Sequence, residues 1–136
     1  MKRLMFCSAA LAVAAWSASA PAQQMTDGTV KIGVLTDMSS LYSDINGPGA
    51  VLAVQMAIED FGGTIGGKKI EMVQADVQNK ADVAATIAGR WFDTEQVDAI
   101  MELTTSSVAL AVQAIAKEKK KIDIVTGAAT TELTGK

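Results

Sequence analysis

The strongest constraint on the fold is a regular alternation of short strand-forming runs with helical segments. β-Branched residues around apolar centres predict strands at residues 29–36, 69–77, 97–103 and 122–126. Between them, apolar residues recur every three or four positions, which predicts helices at residues 50–61, 81–92 and 108–117. An alternation of this kind forms a parallel sheet with helices on both faces. The sequence therefore predicts an α/β fold with one domain.

Polar segments follow the predicted strands at the edge where such sheets bind ligands. Ligands of open parallel sheets lie beyond the carboxyl ends of the strands. The segments at residues 36–47, 103–107 and 126–131 are rich in hydroxyl groups and glycine, and we expect them to form one site. The charged segment at residues 76–80 either joins them or lies apart, and within it Asn79 is a candidate cap for the second helix.

Ser106 and Ser107 lie where the third helix is predicted to begin. Free N–H groups and the helix dipole favour a carboxylate at such a position. Thr130 and Thr131 offer further hydroxyl donors from the last segment. The same residue types are equally compatible with a local role, because Ser and Thr commonly cap helices and form turns. In that interpretation, Thr105 or Ser106 caps the third helix.

Residues 1–22 have the organisation of a secretory signal peptide. Lys2 and Arg3 give a positive start, residues 4–16 are uncharged and mostly apolar, and residues 17–22 are small. This order is typical of a cleavable signal, and the apolar run is shorter than the ~20 residues that a membrane span needs. We therefore expect export to the periplasm.

Cleavage is expected after Ala22 rather than Ala20. A cut after Ala20 would place Pro21 just beyond the scissile bond, where its ring and missing N–H suit a peptidase poorly. The expected mature chain is residues 23–136. Cys7, the only cysteine, leaves with the signal, so the mature chain has neither a disulfide nor a thiolate metal site.

The absence of histidine excludes several catalytic designs. With no His and one Cys, the chain has neither a Ser–His nor a Cys–His nucleophile pair. The net charge is −3, and it becomes −5 when Lys2 and Arg3 are removed, which argues against nucleic acid as a partner. Glu102 is interpreted as a strand-end carboxylate bonded to nearby N–H groups. We predict no enzymatic activity, no metal site and no cofactor.

Six runs of residues, taken in order, carry a resemblance to a known family. They are VKIGVLTDMSS at 30–40, EDFGG at 59–63, IGGKKI at 65–70, VDAIM at 97–101, SSVALAV at 106–112 and GAATTELT at 127–134. Together they resemble the periplasmic solute-binding proteins of ABC importers and are most similar to the branched-chain amino acid type. The resemblance implies the first lobe of a type I periplasmic binding protein, which closes on a small ligand and delivers it to a membrane permease.

The resemblance also implies which residues bind the ligand. A hydroxyl at Ser106, the backbone at Ala128 and the hydroxyl of Thr130 hold the ligand carboxylate. The backbone near Thr104 and Thr105 also lines the site.

The loop after the first strand departs from the family pattern. An aromatic residue that often covers the ligand corresponds here to Ile45, with Tyr42 three residues before it. The loop at residues 39–46 is similar to that of a subgroup associated with aromatic acids, so an amino acid and an aromatic carboxylate both remain candidate ligands. The second lobe of the family is missing from residues 23–136. A truncated, non-functional product and a small periplasmic enzyme or sensor domain are the remaining alternatives.

Overall fold

The structure, a computed structural model, describes residues 28–135. The predicted signal peptide and its cleavage site lie outside the described residues. The elements in chain order are β1 (Thr29–Thr36), α1 (Gly47–Asp60), β2 (Thr64–Ile65), β3 (Lys68–Asp76), α2 (Ala81–Asp93), β4 (Ala99–Glu102), α3 (Ser106–Lys119), β5 (Ile122–Val125) and a 3₁₀ helix (Thr131–Leu133).

The strands form one sheet in the order β2-β3-β1-β4-β5. β1 is central and pairs in parallel with β3 and β4, and β4 pairs in parallel with β5. These pairings confirm the predicted parallel α/β fold. The antiparallel strand β2 was not predicted from the sequence. It pairs with the start of β3 through a tight turn at Gly66 and Gly67, whose φ angles of 57° and 79° suit glycine.

Helices α2 and α3 pack together and cover one face of the sheet. Trp91 of α2 is only 2% exposed, and it lies directly over Gly33 at the centre of β1. Alternate residues of the strands point toward this face, so Leu35 and Ile100 join the same buried cluster as Val112 of α3. This side of the sheet holds the hydrophobic core.

Helix α1 covers only part of the opposite face. It begins at Gly47, three residues earlier than predicted, because Pro48 is favourable in the first turn of a helix. It contacts β1 and β3, while Ile122 and Ile124 on β5 are 48% and 45% exposed. A cavity of about 460 Å³ opens between the helix and the sheet, and it is lined mostly by apolar side chains, among them Phe61. This face therefore carries an uncovered apolar surface.

Helix α3 ends where a basic cluster begins. Lys120 adopts a left-handed conformation with φ 54° and closes the helix, and Lys117 and Lys119 lie in the last turn. Their charges are favourable beside the negative end of the helix dipole. None of the helices between residues 28 and 135 has the length and apolar character that a membrane crossing requires.

Candidate ligand-binding site

The carboxyl ends of the parallel strands meet at one edge of the sheet. The Thr36 and Thr104 hydroxyl oxygens lie 2.9 Å apart and share a buried hydrogen bond between the ends of β1 and β4. A Cβ atom added to Gly127, just after β5, would lie 3.0 Å from the Thr104 carbonyl oxygen. The segments after β1, β4 and β5 are thus brought together, as the strand-end pattern predicts.

Asp37 shapes the loop that follows β1. The buried Asp37 carboxylate accepts hydrogen bonds from the Ser40 N–H at 2.9 Å, the Ser40 hydroxyl at 2.5 Å and the Tyr42 N–H at 2.9 Å. Burial by itself would raise the pKa of Asp37, but these hydrogen bonds outweigh it and hold the pKa below its ordinary value of 3.8. The ionised carboxylate therefore fixes the loop.

Asp76, at the end of β3, holds the same loop from the other side. Its carboxylate accepts from the Met38 N–H at 2.9 Å, the Ser39 hydroxyl at 2.5 Å and the Gln78 N–H at 2.9 Å. Burial by itself would raise the pKa of Asp76, but the hydrogen bonds outweigh it and hold the pKa below its ordinary value of 3.8. The segment at residues 76–80, which the sequence left unassigned, thus lies next to the site.

The hydroxyl groups near α3 do not cap the helix as expected. Thr105 occupies the N-cap position, yet its hydroxyl donates to Asn79 Oδ1 at 3.0 Å and makes no capping bond. The N-cap of α2 is Lys80, and Asn79 does not cap it. Both capping predictions are wrong. Asn79 lies one residue before the N-cap position of α2, and the Thr105 hydroxyl donates to Asn79 instead of capping α3.

The amino end of α3 therefore has unoccupied donors. The first helical hydrogen bond runs from Ala109 N to Thr105 O at 2.8 Å, so the N–H groups of Ser106 and Ser107 lie outside the helical ladder. Within residues 28–135, no side chain caps this end, and the half-buried Ser106 hydroxyl has no recorded partner. A helix terminus with free donors of this kind is suited to an anion.

Thr130 is already used as a local cap, but it keeps a donor. Its hydroxyl oxygen accepts from the Glu132 N–H at 3.3 Å and caps the short 3₁₀ helix. A hydroxyl that accepts one hydrogen bond still has its own proton to donate. Ala128 and Thr130 also line a cavity of about 280 Å³ beside β5.

Tyr42 and Ile45 lie on the same turn of the loop after β1. The Tyr42 carbonyl accepts from the N–H groups of Ile45 at 3.0 Å and Asn46 at 3.1 Å, so the backbone is well defined. The Tyr42 side chain is half-buried, whereas that of Ile45 is 74% exposed. An exposed apolar side chain beside the strand ends can contact a ligand or a facing surface.

The hydrogen-bond partners of Glu102 were not identified from the sequence. It is 7% exposed, and its two carboxylate oxygens accept from Asn46 Nδ2 at 2.5 Å and the Thr126 hydroxyl at 2.6 Å. The interpretation as a structural strand-end carboxylate is correct, but its donors are side chains from two other segments. No local pattern identifies Asn46, because it lies 56 positions away in the sequence.

Metal binding finds no support in the described part of the chain. Between residues 28 and 135, no group of three or more acidic, cysteine or histidine side chains is arranged to hold an ion. The polar atoms at the strand ends are instead N–H and O–H donors and carboxylates already bonded to them. The edge is best suited to an anionic group of a small molecule.

Comparisons with known proteins agree with this geometry. Residues 29–136 match a family model described as periplasmic binding protein. A periplasmic binding protein from Burkholderia mallei is 50% identical, with a TM-score of 0.77 over 79% of this chain and 28% of its own. A branched-chain amino acid ABC transporter ligand-binding protein from Burkholderia xenovorans is also 50% identical, with a TM-score of 0.74 over 76% and 28%.

A third solved structure carries a bound ligand. The solute-binding protein of an ABC transporter from Rhodopseudomonas palustris, in complex with 3,4-dihydroxybenzoic acid, is 27% identical, with a TM-score of 0.75 over 79% of this chain and 30% of its own. No curated protein matches the chain.

The chain spans less than a third of the length of these three structures. These relatives are transport binding proteins rather than enzymes, and the family is periplasmic. The chain belongs to the periplasmic binding protein family, and its described residues correspond to one lobe of the binding proteins in that family.

Proposed function

We propose that the chain is the first lobe of the substrate-binding component of an ABC importer, which captures a small carboxylate-bearing solute for a membrane permease. The observation that carries this proposal is the uncapped amino end of α3 at the edge where the strand ends meet. Its free N–H groups and the positive end of the helix dipole attract a carboxylate.

In this proposal, the carboxylate is held by three kinds of donor. Ser106 supplies a backbone N–H and a hydroxyl without a recorded partner in residues 28–135, and Thr130 supplies the remaining proton of its hydroxyl. The backbone of Ala128, Thr104 and Thr105 lines the site. The Thr105 hydroxyl is not a donor to the ligand, because its proton is directed to Asn79.

The ligand we favour is an amino acid, with an aromatic carboxylate as the alternative. The Burkholderia xenovorans relative is described as a branched-chain amino acid transport protein, which supports the first. The Rhodopseudomonas palustris relative holds 3,4-dihydroxybenzoic acid, which supports the second. Tyr42 and Ile45 would contact the rest of the ligand, and an aliphatic side chain at residue 45 tolerates either class.

We further propose that residues 1–22 are a cleaved signal and that residues 23–136 function in the periplasm. The family is periplasmic, and the order of charged, apolar and small residues supports secretion. Sequencing the amino terminus of the exported chain tests this step. Gln23 at the terminus supports cleavage after Ala22, whereas Pro21 would move the cut to Ala20, and Met1 would refute cleavage.

The binding proposal is tested by titrating the chain with L-leucine and with 3,4-dihydroxybenzoate, followed by NMR amide shifts. One lobe encloses a small ligand incompletely, so millimolar dissociation constants are expected. L-Leucinamide, which lacks the carboxylate, is the matched control ligand. Shifts near α3 with leucine or the benzoate, but not with leucinamide, support carboxylate capture.

Replacing Ser106 with Ala separates binding from a local role. Loss of a charge-assisted hydrogen bond should weaken binding by about 1–3 kcal/mol. Thr86→Ala is the control, because the exposed Thr86 hydroxyl bonds only the Asp82 carbonyl of its own helix, at 2.9 Å. Equal affinities for wild type and Ser106→Ala would remove Ser106 from the site.

A further inference from the structure

Glu102 lies at the point where three segments of the candidate site meet. Its Oε1 atom accepts from Asn46, the residue immediately before α1, and its Oε2 atom accepts from Thr126, the residue immediately after β5. The Glu102 carbonyl also accepts from the Thr126 N–H at 2.9 Å. One buried side chain therefore ties the loop after β1 and the segment after β5 to the end of β4.

The backbone at this point is strained. Glu102 and Leu103 have φ angles of 90° and 55°, values that residues with a Cβ atom rarely adopt. Such conformations persist only when surrounding contacts hold them. Leu103 N donates to the Leu35 carbonyl at 3.2 Å, and the side chain of Glu102 is held at both oxygens. The bend directs the chain from β4 toward Ser106.

The three segments touch around this bend with little spare room. A Cβ atom on Gly127 would lie 3.1 Å from Thr104 Cα and 3.3 Å from Asn46 Nδ2. The amide of Asn46 thus lies between the Glu102 carboxylate and the start of the segment that carries Ala128. A change in the length or direction of the Glu102 contacts would move all three segments relative to one another.

We propose that Glu102 is a positioning residue, which sets the spacing between the donors of α3, the segment carrying Ala128 and Thr130, and the loop carrying Tyr42. Both carboxylate oxygens accept hydrogen bonds from neighbouring segments and the residue is only 7% exposed, so we assign Glu102 an action through these segments rather than contact with the ligand. The assignment of those segments to ligand binding rests on the proposed function. The coupling of the segments through Glu102 stands on the contacts themselves.

The chemistry of the contacts predicts how variants differ. In Glu102→Gln, the amide oxygen still accepts from Asn46, and the amide N–H₂ donates to the Thr126 hydroxyl, which can accept. Glu102→Ala leaves both donors without their acceptor. Asn46→Asp places two carboxyl groups against each other, and such a pair holds a shared proton that is lost as the pH rises.

The experiment compares these three variants in the ¹⁵N-labelled chain by NMR amide shifts and hydrogen exchange, from pH 5 to pH 8. Glu118→Ala removes one exposed acid from α3 and is the control for charge. We expect Glu102→Ala to shift the amides of residues 104–107 and 127–130 and to raise their exchange at least tenfold. We expect Glu102→Gln to resemble wild type, and Asn46→Asp to resemble it at pH 5 but not at pH 8.

Titration with L-leucine and 3,4-dihydroxybenzoate forms a separate arm, in which a tenfold loss of affinity is expected for Glu102→Ala. If wild type binds neither probe, the proposed function fails, and the positioning role is judged on the amide shifts alone. If Glu102→Ala does not fold, Glu102→Gln and Asn46→Asp decide. The proposal is overturned if Asn46→Asp shows no pH dependence at residues 127–130. It is also overturned if Glu102→Gln shifts the amides of residues 104–107 and 127–130 while the control Glu118→Ala leaves them unchanged.

Discussion

Gly33→Ala is the substitution whose effect on the fold follows most directly from the structure. Gly33 lies at the centre of the sheet, beneath the indole of Trp91. A Cβ atom at residue 33 would lie 2.6 Å from Trp91 Cε3 and 3.3 Å from Val97 Cγ1. Favourable carbon–carbon contacts lie at about 3.5–4.0 Å. The indole would have to move by about 1 Å, although it is 2% exposed and enclosed by the core.

The expected cost combines two opposing effects. Overpacking of a well-filled core costs about 1–3 kcal/mol. Replacing a strand glycine with alanine stabilises the fold by about 0.5–1 kcal/mol, because the unfolded alanine chain has less conformational entropy to lose on folding. We therefore expect the free energy of unfolding to fall by about 1–2 kcal/mol. Urea denaturation followed by far-UV circular dichroism measures this value without relying on the fluorescence of Trp91.

A double-mutant cycle with Trp91→Leu tests the cause. The smaller side chain makes room for the added methyl group, so Gly33→Ala should cost almost nothing in that background, giving a coupling of about 1–2 kcal/mol. Gly89→Ala on α2 is the control, since apart from its chain neighbours and the backbone of its own helix no atom lies within 4 Å of its Cβ position, and it should stabilise the helix by about 0.5–1 kcal/mol. An equal loss from Gly33→Ala in both backgrounds would refute the clash with the indole.

Three further predictions concern other parts of the lobe. Because the folded-state pKa values of Asp37 and Asp76 are below 3.8, the stabilisation by these carboxylates is present above that pH and is lost as the pH falls through the folded-state values. Urea denaturation at pH 5 and pH 2.5 should show a lower unfolding free energy at pH 2.5, and Asp37→Asn should make this difference smaller. Gly47→Ala brings a Cβ atom to 2.7 Å from the Asp37 carbonyl oxygen and should lower the unfolding free energy by about 1–3 kcal/mol in the same urea assay, unlike Gly49→Ala, whose Cβ position is open. The Phe61 side chain is 63% exposed beside the apolar cavity, so Phe61→Ser should reduce the binding of a hydrophobic dye and change the unfolding free energy by less than about 0.5 kcal/mol. Unchanged dye fluorescence would mean that the accessible apolar surface lies elsewhere.

The sequence predicted the elements well because their signals are local. Strand β1 was predicted with the bounds that the structure gives, and α2 differs by one residue at its carboxyl end. The start of α1 was placed three residues late, since the helical period becomes visible only after Pro48. The two-residue strand β2 was missed because so short a segment has no periodicity.

The candidate site was predicted in place but not in detail. The rule that ligands lie beyond the carboxyl ends of parallel strands selected segments that the structure does bring together. The capping roles predicted for Thr105 and Asn79 were wrong. Both residue types commonly cap helices, and only the fold shows that these two side chains bond each other. Ser106, Ala128, Thr130, Tyr42 and Ile45 stay predictions as ligand contacts.

The sequence by itself determined the order of the helices and of the four parallel strands, and the edge at which polar segments collect. It also excluded catalysis and metal binding by histidine, because a residue type that is absent from the chain is absent from every fold of it. Only the tertiary structure decided which donors remain available, that α1 leaves part of one face uncovered, and that Glu102 joins Asn46 to Thr126. The physical reason is range: periodicity and turn chemistry act over a few residues, whereas the partner of a buried carboxylate is set by the strand register that brings distant segments together.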